Sequence, residues 1–233
     1  MAYKKEDNIS YSLGSFATME LLKYRKNTVK KIYLHKDIKQ SADIDELLAI
    51  AKNANIPCEQ NSHKIENISK KENVYCMGEF EKYEDTLGDG NQIVLHNPSD
   101  MGNLGTIFRT ALGFGFKNIV LISPCADRFN PKTVRASMGA VFGLNVVEFS
   151  SFEEYAEKYK DIKKYLFMLD GNTILQDLEP KNEKIALVFG NEATGLPQNV
   201  KKFGEPVFIK HTNAIDSLNL AISASIAMFK FSK

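Results

Sequence analysis

Three segments of the sequence combine glycines with polar side chains that suit them to holding an anion or orienting a hydroxyl group. The first segment, residues 97–111, contains Asn103, Gly105 and Arg109. Glycine lets a loop approach a ligand closely, and a guanidinium binds a phosphate through two parallel hydrogen bonds. Because Arg109 stands among apolar residues, the structural alternative is that it pairs with a carboxylate of the same protein.

The second segment, residues 190–197, follows an apolar run and has glycines at 190 and 195 with Glu192 between them. A P-loop has similar glycines but requires a lysine and then Ser or Thr after the second one. Leu196 and Pro197 occupy those places, which argues against nucleoside triphosphate hydrolysis. The pattern predicts a backbone-lined cradle with one carboxylate. The alternative is a turn whose Glu192 caps the next helix.

The third segment, residues 209–219, ends in Ser217-Leu218-Asn219. The structural alternative for these polar residues is capping, and the pattern predicts a helix over 217–231 with Asp216 or Ser217 at its N-cap. That helix is rich in small residues between 221 and 227. Small residues let another backbone come close, so they indicate either interior packing or a subunit interface.

Strand and helix patterns alternate along the whole chain. In the N-terminal part we expect helices over 16–24 and after Ser41, and strands over 29–34 and 74–77. The later strands are expected at 93–96, 119–122, 146–149, 165–169, 185–189 and 207–209. The helices between them are expected at 103–114, 131–138 and 152–159. This alternation predicts an α/β fold whose C-terminal part is a mostly parallel sheet with helices on both faces.

The placement of the three segments follows from that fold. Each comes directly after a predicted strand, and ligands of open α/β sheets bind beyond the carboxyl ends of the strands. A charged, turn-prone stretch over residues 79–91 predicts a domain boundary. We therefore expect one domain over 1–88 and a second over 89–233.

Composition narrows the classes of function. The 233 residues carry a net charge of +1, so the chain has no global basic field for nucleic acid. Basic residues are nevertheless concentrated between 23 and 39, where Asp37 is the only acid. The patch is either a surface that contacts phosphates or a solvated helix and strand face, and composition alone does not decide between the two. Its candidate residues are Lys23, Arg25, Lys26 and Lys30.

The cysteines and the hydropathy pattern give further expectations. The three cysteines are widely scattered, so neither a disulfide framework nor a metal site is expected. No apolar run approaches the length of a membrane span, and the first residues do not form a secretion signal. We therefore expect a protein of the reducing cytosol that does not bind a membrane.

Taken together and in this order, the three segments resemble the three motifs of the SpoU/TrmH branch of the SPOUT methyltransferases. The first motif is matched by Asn103, Gly105 and Arg109. The second is matched by Gly190, Glu192, Gly195 and Leu196, and the third by Ile209, Ser217, Leu218 and Asn219. Residues 130–140 also resemble a stretch of that family. One departure is Lys210-His211, where the third motif usually continues with Pro-Met.

The resemblance implies an RNA 2′-O-ribose methyltransferase that uses S-adenosyl-L-methionine. It also implies a deep trefoil knot in the C-terminal domain and a homodimer with the active site near the interface. Residues 14–80 more weakly resemble the L30e-like substrate-binding domain of ribosomal RNA members. Ribosomal RNA is therefore the favoured substrate, with transfer RNA as the alternative.

The resemblance also assigns roles to individual residues. The catalytic candidates are Arg109, Asn103, Glu192, Ser217 and Asn219. The cofactor-binding candidates are Gly190, Asn191, Ile209, Leu218 and Leu169. Lys132 and Arg135 are added to the RNA-binding candidates. We expect Arg109 to bind the substrate phosphate and stabilise the developing alkoxide, because a guanidinium stays protonated in proteins. For Glu192 we expect a bond to Arg109 or to a backbone amide.

Three other readings stay open at this point. One is an RNA-binding protein that kept the fold and lost transfer activity. Another is a nucleotide-binding α/β enzyme that uses residues 190–195 as a phosphate loop. The third is a methyltransferase of the same superfamily that modifies a base instead of ribose.

Overall fold

The computed structural model describes residues 3–71 and 73–232, which form two compact units. The strands, in chain order, are β1 (Ile9–Leu13), β2 (Val29–Leu34), β3 (Cys58–Gln60), β4 (Cys76–Glu81), β5 (Gln92–His96), β6 (Asn118–Ile122), β7 (Asn145–Phe149), β8 (Lys163–Phe167), β9 (Thr173–Ile174), β10 (Ile185–Phe189) and β11 (Glu205–Phe208). The helices are α1 (Ser15–Arg25), α2 (Ala42–Asn53), α3 (Ser62–Ser69), α4 (Met101–Gly113), α5 (Pro131–Ala136), α6 (Phe152–Lys158) and α7 (Leu220–Phe231).

The first unit comprises residues 1–84 together with 127–143. Its four-stranded sheet has the order β1-β4-β2-β3, in which β4 is antiparallel to both β1 and β2, and β3 is parallel to β2. Helix α2 begins where predicted, because the side chain of Ser41 accepts a hydrogen bond from the backbone N–H of Ile44. The predicted domain boundary between residues 88 and 89 lies close to residue 84, where the first segment of this unit ends. The second segment, 127–143, includes α5 and was expected in the other domain.

The second unit comprises residues 85–126 and 144–233. Its seven strands are all parallel, in the order β7-β6-β5-β10-β8-β11-β9. The predicted α/β fold with a mostly parallel sheet is therefore confirmed. Strands β5, β6 and β10 are almost wholly buried because helices cover both faces of the sheet, which explains their uninterrupted apolar sequences.

Several predicted boundaries were wrong. The strand expected over 74–77 is β4 (Cys76–Glu81), and the helix expected over 131–138 ends at Ala136. The last helix starts at Leu220 instead of Ser217, and its N-cap is Asn219, whose side chain accepts from the backbone N–H groups of Ala221 and Ile222. Strand β8 ends at Phe167, so Leu169 lies in the loop after it and is 62% exposed. No helix in the described ranges is long and apolar enough to cross a membrane.

Candidate active site

A cavity of about 340 Å³ lies at the carboxyl ends of three neighbouring strands, β8, β10 and β11. This is the edge of the sheet where parallel α/β folds bind ligands. Its wall is formed by the loops that follow these strands and by the start of α7. All five predicted cofactor-binding residues line it, namely Leu169, Gly190, Asn191, Ile209 and Leu218.

The loop after β10 is closed by two backbone hydrogen bonds between Asn191 and Gly195, at 3.2 and 2.9 Å. Gly195 has a φ of +66°, a conformation that glycine adopts without strain. At Gly190 a Cβ atom would lie 2.1 Å from the carbonyl carbon of Gly195, so no side chain fits there. The two glycines are therefore required by the geometry of the loop. Leu196 turns inward and is buried in the core.

The side chain of Asn191 shapes this loop from within. Its Oδ1 accepts from the backbone N–H groups of Ala193 and Thr194, at 2.9 and 3.3 Å. Its Nδ2 donates to the backbone oxygen of Asn97 at 2.8 Å, in the loop after β5. The amide of Asn191 is thus engaged with protein groups, and it ties the second motif to the first.

Glu192 is an acceptor for groups from the first motif. One carboxylate oxygen accepts from the backbone N–H and the hydroxyl of Ser99, at 3.1 and 2.8 Å. The other accepts from the backbone N–H of Asp100 at 3.1 Å and from Nδ2 of Asn103 at 3.3 Å. The expected bond to backbone amides is therefore present. Glu192 does not cap the helix that follows its own loop. It holds the loop that begins α4.

These contacts keep Glu192 ionised. Burial would by itself raise the pKa of this carboxyl, but the backbone N–H groups of Glu192, Ser99 and Asp100, with the Ser99 hydroxyl, lower it below its ordinary value. A carboxylate that is both acidic and surrounded by donors is a poor proton acceptor. Its geometry is that of a positioning residue.

Asn103 connects all three motifs. Its Nδ2 donates to Glu192, and its Oδ1 accepts from Nδ2 of Asn219 at 3.1 Å. Asn219 is fixed in turn because its own Oδ1 caps α7. Helices α4 and α7 pack against each other, and Ser225 bonds to Thr110 across that contact. The structure therefore brings together residues that are 89 and 116 positions apart.

Arg109 lies on α4 and is exposed. In the described part of the chain it has no carboxylate partner, so the structural alternative of an internal ion pair is not realised there. Of the two bonds expected for Glu192, the one to Arg109 is absent among the described residues. Its carboxylate bonds instead to Ser99, Asp100, Asn103 and Asn191. The guanidinium therefore remains available to a ligand. Of the other catalytic candidates, Ser217 lines the cavity together with Glu192.

Sequence reasoning missed several residues of this site. Asp100 caps α4 by accepting from the backbone N–H of Asn103 at 2.7 Å, a role that the spacing Asp-x-x-Asn before an apolar helix indicates. Asp170 and His211 also line the cavity. Asp170 accepts from Gln198 and Lys201, which are 28 and 31 positions away, so no local signal pointed to it.

The predicted RNA-binding residues differ in their surroundings. Lys23 lies 3.7 Å from Glu20, which is three residues earlier on the same helix. Lys30 lies 2.7 Å from Glu81 on β4, an acid that the local sequence did not reveal. Arg25 donates to the backbone oxygen of Phe142 at 3.0 Å. Lys26 is exposed.

Segment 127–143 carries the other two RNA-binding candidates. Lys132 is exposed on α5. One guanidinium nitrogen of Arg135 is buried without a hydrogen-bond partner among the described residues. Within residues 3–71 and 73–232, no group of histidine, cysteine and acidic side chains is arranged to hold a metal ion.

The three motifs of this site lie within a region that matches a known protein family. The sequence model of the SpoU rRNA Methylase family matches residues 90–229, which is more than half of the chain and includes all three motifs. Among curated proteins, the chain is 31% identical over 150 residues to the 23S rRNA (guanosine(2553)-2'-O)-methyltransferase RlmP of Bacillus subtilis. It is 32% identical over 160 residues to the 23S rRNA (adenosine(1067)-2'-O)-methyltransferase of Streptomyces laurentii.

The coverage of these matches is partial. They extend over 63% and 66% of this chain, and over 60% and 57% of the two relatives. An uncharacterized tRNA/rRNA methyltransferase of Archaeoglobus fulgidus is 28% identical and covers 88% of this chain and 92% of its own length. The chain thus spans less than two thirds of the first two relatives but nearly all of the third.

Solved structures match across both units. The AdoMet-bound rRNA methyltransferase from Sinorhizobium meliloti superposes with a TM-score of 0.81 at 24% identity, over 96% of this chain and 86% of that one. The SpoU methyltransferase AviRb from Streptomyces viridochromogenes gives 0.82 at 19% identity, over 96% and 88%. Because both sequence identities are below 25%, these two matches show that the fold is shared.

Proposed function

The chain belongs to the SpoU rRNA Methylase family, and from this we propose that it transfers a methyl group from S-adenosyl-L-methionine to a ribose 2′-hydroxyl of RNA. We propose ribosomal RNA as the substrate. The names of the two relatives from Bacillus subtilis and Streptomyces laurentii, both enzymes of 23S rRNA, support this choice over transfer RNA.

The observation that carries the proposal is the position of Asn103 between Glu192 and Asn219. One amide bonds to both other motifs, beside a cavity at the carboxyl ends of the strands. Each motif by itself has an ordinary structural explanation. Their convergence on one side chain, together with an exposed arginine on the same helix, supports a single site built for one reaction.

The residues around the cavity fit the cofactor. A volume of about 340 Å³ lies within the range of small-molecule sites. The wall at Gly190 is bare backbone, because a Cβ atom there would overlap the backbone of Gly195. Leu169, Gly190, Asn191, Ile209 and Leu218 would hold the cofactor there. When bound, it supplies a methyl group that is already activated by the positive charge of a sulfonium.

The side chains of the three motifs would hold the ribose and its phosphate. The described contacts use one N–H of the Asn103 amide and one of the Asn219 amide, so each keeps a second N–H for a ribose or phosphate oxygen. The hydroxyl of Ser217 would orient the same group. The Arg109 guanidinium would bind the phosphate and stabilise the negative charge that develops on the 2′-oxygen. Alignment of this kind is worth up to ~7–11 kcal/mol.

We also propose that the protein is a homodimer that forms through α7. This helix exposes Ile222, Ile226 and Phe229 at helical spacing, and Phe229 is 71% exposed. Phe114 at the end of α4 contacts Phe229 and extends the apolar surface. An exposed apolar surface of this kind is typical of an interface between subunits. Light scattering should give twice the monomer mass, and Phe229→Glu should reduce it to the monomer.

Three further features belong to the same proposal. The C-terminal unit would contain a deep trefoil knot, which the resemblance of its three motifs to the SPOUT methyltransferases implies. The N-terminal unit would be an L30e-like domain that binds RNA, with Lys132 and Arg135 as additional phosphate contacts. The site of action would be the cytoplasm, where ribosomal RNA is found in bacteria.

The first experiment is direct detection of the product. Ribosomal RNA from a deletion strain and from its parent should differ by one ribose methylation, which appears as a gap in an alkaline hydrolysis ladder because the free 2′-hydroxyl is needed for cleavage. Purified protein should restore the gap in RNA from the deletion strain. Identical ladders, with no labelled methyl transfer to that RNA, would refute the proposed activity.

The second experiment tests the role of Arg109. Arg109→Ala should lower the rate of methyl transfer by at least about a hundredfold, as the loss of one charge-stabilising group does, while the cofactor Kd changes by less than about twofold. Arg109→Lys should recover only part of the rate, since an ammonium cannot bind a phosphate in two places. An equal loss of cofactor binding and of transfer, measured by calorimetry and radiolabel, would remove Arg109 from this role.

A further inference from the structure

We propose that the outer face of helix α1 is a stacking surface for unpaired RNA bases, with Phe16 and Tyr24 as the platforms. This inference rests on the proposed function, because it names the part of the substrate that the N-terminal unit would hold. The residues that carry it lie outside the three motifs. Neither aromatic was among the RNA-binding candidates, which were all cations.

The first observation is the exposure of the two aromatic rings. Phe16 is 57% exposed and Tyr24 is 39% exposed. The same helix buries Ala17, Thr18, Leu21 and Leu22. With ~100° per residue, Phe16 points well away from the buried residues, and Tyr24 lies on the flank of the same outer face. The two rings are eight residues apart, or ~12 Å along the helix axis.

The second observation is the charge around the rings. Lys23 lies within ~20° of Phe16 around the helix, and the exposed Lys26 follows one turn later. The Lys23 ammonium is 4.8 Å from the centre of the Tyr24 ring. Glu20 is the only acid on α1. A hydrogen bond to Tyr24 and the charge of Glu20 raise the pKa of Lys23, so it remains cationic.

This combination favours RNA as the occupant of the surface. A partner protein that covered the apolar ring of Phe16 would also need to accept Lys23, which lies on the same side of the helix. A single strand of RNA presents flat bases next to phosphates, and proteins bind such strands by stacking bases on aromatic rings within a cationic surface. The alternation of aromatic and cationic residues on α1 matches that chemistry. Base-paired RNA does not offer its base faces.

The experiment measures binding by the full-length protein to a single-stranded oligoadenylate and to a duplex of the same length. Phe16→Ala and Phe16→Leu should each weaken binding to the single strand by roughly 5- to 100-fold, the loss of one stacked base. Phe16→Trp should retain it. The slope of log Kd against log salt should stay unchanged, because stacking releases no counterions. Duplex binding should not change.

Tyr24→Ala should act in the same way as Phe16→Ala. The matched control is Tyr75→Ala, which removes a tyrosine of similar exposure, 40%, from another part of the same unit. Thermal unfolding of every variant excludes misfolding as the cause. The inference is overturned if Phe16→Leu binds as tightly as the wild type, or if the variants lose single-strand and duplex binding equally.

The outcome is separable from that of the proposed function. A wild-type protein that methylates ribosomal RNA, with unchanged single-strand affinity in the Phe16 and Tyr24 variants, would refute only the stacking surface. A wild-type protein that transfers no methyl group to ribosomal RNA would refute the function. With both intact, Phe16→Ala should raise KM for RNA and leave kcat near the wild-type value.

Discussion

The two units carry their candidate functional residues in opposite ways. Around the cavity of the C-terminal unit, the amides of Asn103 and Asn191 are fixed by other protein groups. Glu192 accepts from Ser99, Asp100 and Asn103. On α1 of the N-terminal unit, Phe16 is mostly exposed, and Lys23 has one acid 3.7 Å away. One region is organised by hydrogen bonds within the protein, while the other presents exposed side chains to solvent.

This difference matches the demands of the two tasks that we propose for the protein. Methyl transfer requires the reacting atoms to be held within a fraction of an ångström, so the residues of the site must be locked by their neighbours. Holding a large RNA requires many weak contacts that can adapt. We therefore expect substitutions in the C-terminal site to disturb stability and chemistry together. Substitutions on the N-terminal surface should disturb binding alone.

The largest effect is expected for Gly190→Ala. The added methyl group would overlap the backbone of Gly195 and Leu196, so the loop must open, with the loss of cofactor binding and at least about 2 kcal/mol of stability. Chemical unfolding and calorimetry with S-adenosyl-L-methionine measure both.

The matched control is Gly113→Ala, since an added methyl group at the end of α4 meets no atom within 4 Å. It should be neutral or stabilise the protein by about 0.5 kcal/mol. If Gly190→Ala and Gly113→Ala had the same stability, the loop after β10 would not be as closely packed as the structure shows.

A smaller effect is expected for Glu192→Gln. The side chain keeps its size, but one end becomes an amide donor that faces other donors, at a cost of about 1–3 kcal/mol at neutral pH. The pKa of Glu192 is lowered by folding, so its contribution is present above the pKa of the unfolded chain and is lost as the pH falls through the folded value. The stability difference between wild type and variant should therefore shrink in acid.

Denaturant titrations at about pH 7 and about pH 3 measure this change. Glu157→Gln is the control, because it removes the same charge from an exposed position on α6 and should change stability by less than about 0.5 kcal/mol. A gap between wild type and Glu192→Gln that stayed constant across this range would mean that the carboxylate is not held in its ionised form.

The smallest effect on stability is expected for Lys26→Glu. This side chain is exposed, so unfolding should be unchanged within about 0.5 kcal/mol, while RNA binding weakens and its salt slope falls by about one. Lys30 is less suitable for this test, because it already pairs with Glu81.

Lys117→Glu is the control with the same change of charge. Lys117 directly precedes β6, at the edge of the sheet opposite the cavity, and the variant should bind RNA like the wild type. If Lys26→Glu left the salt dependence of RNA binding unchanged, this surface would be a solvated face that does not contact RNA.

The elements that were correctly predicted are those with strong local signals. The run Ile185–Phe189 is apolar throughout because the strand is covered on both faces, and Ser41 precedes a periodic helix that it caps. Strand β3 was missed because its three residues are all exposed and do not alternate. Helix α3 was also missed, although Asn61 at its N-cap and Ile65 and Ile68 on its buried face were readable signals.

The sequence indicated which segments line the cavity, but it did not indicate the contacts between those segments. The spacing of Gly190, Glu192 and Gly195 was enough to indicate a backbone cradle. That Glu192 would bond to Ser99 and Asp100 instead of Arg109 depends on how β5 and β10 pair, which no local pattern contains. The ion pair of Lys30 could not be predicted for the same reason, because its partner Glu81 lies on another strand.

The bonds of Asn103 also determine when the site can exist. Its Oδ1 receives a proton donor from Asn219, a residue that the ribosome adds 116 positions later. A nascent polypeptide that holds only the first two motifs lacks Asn219, so one of the two hydrogen bonds that orient the Asn103 amide cannot form. The complete arrangement of the three motifs is therefore assembled late in synthesis.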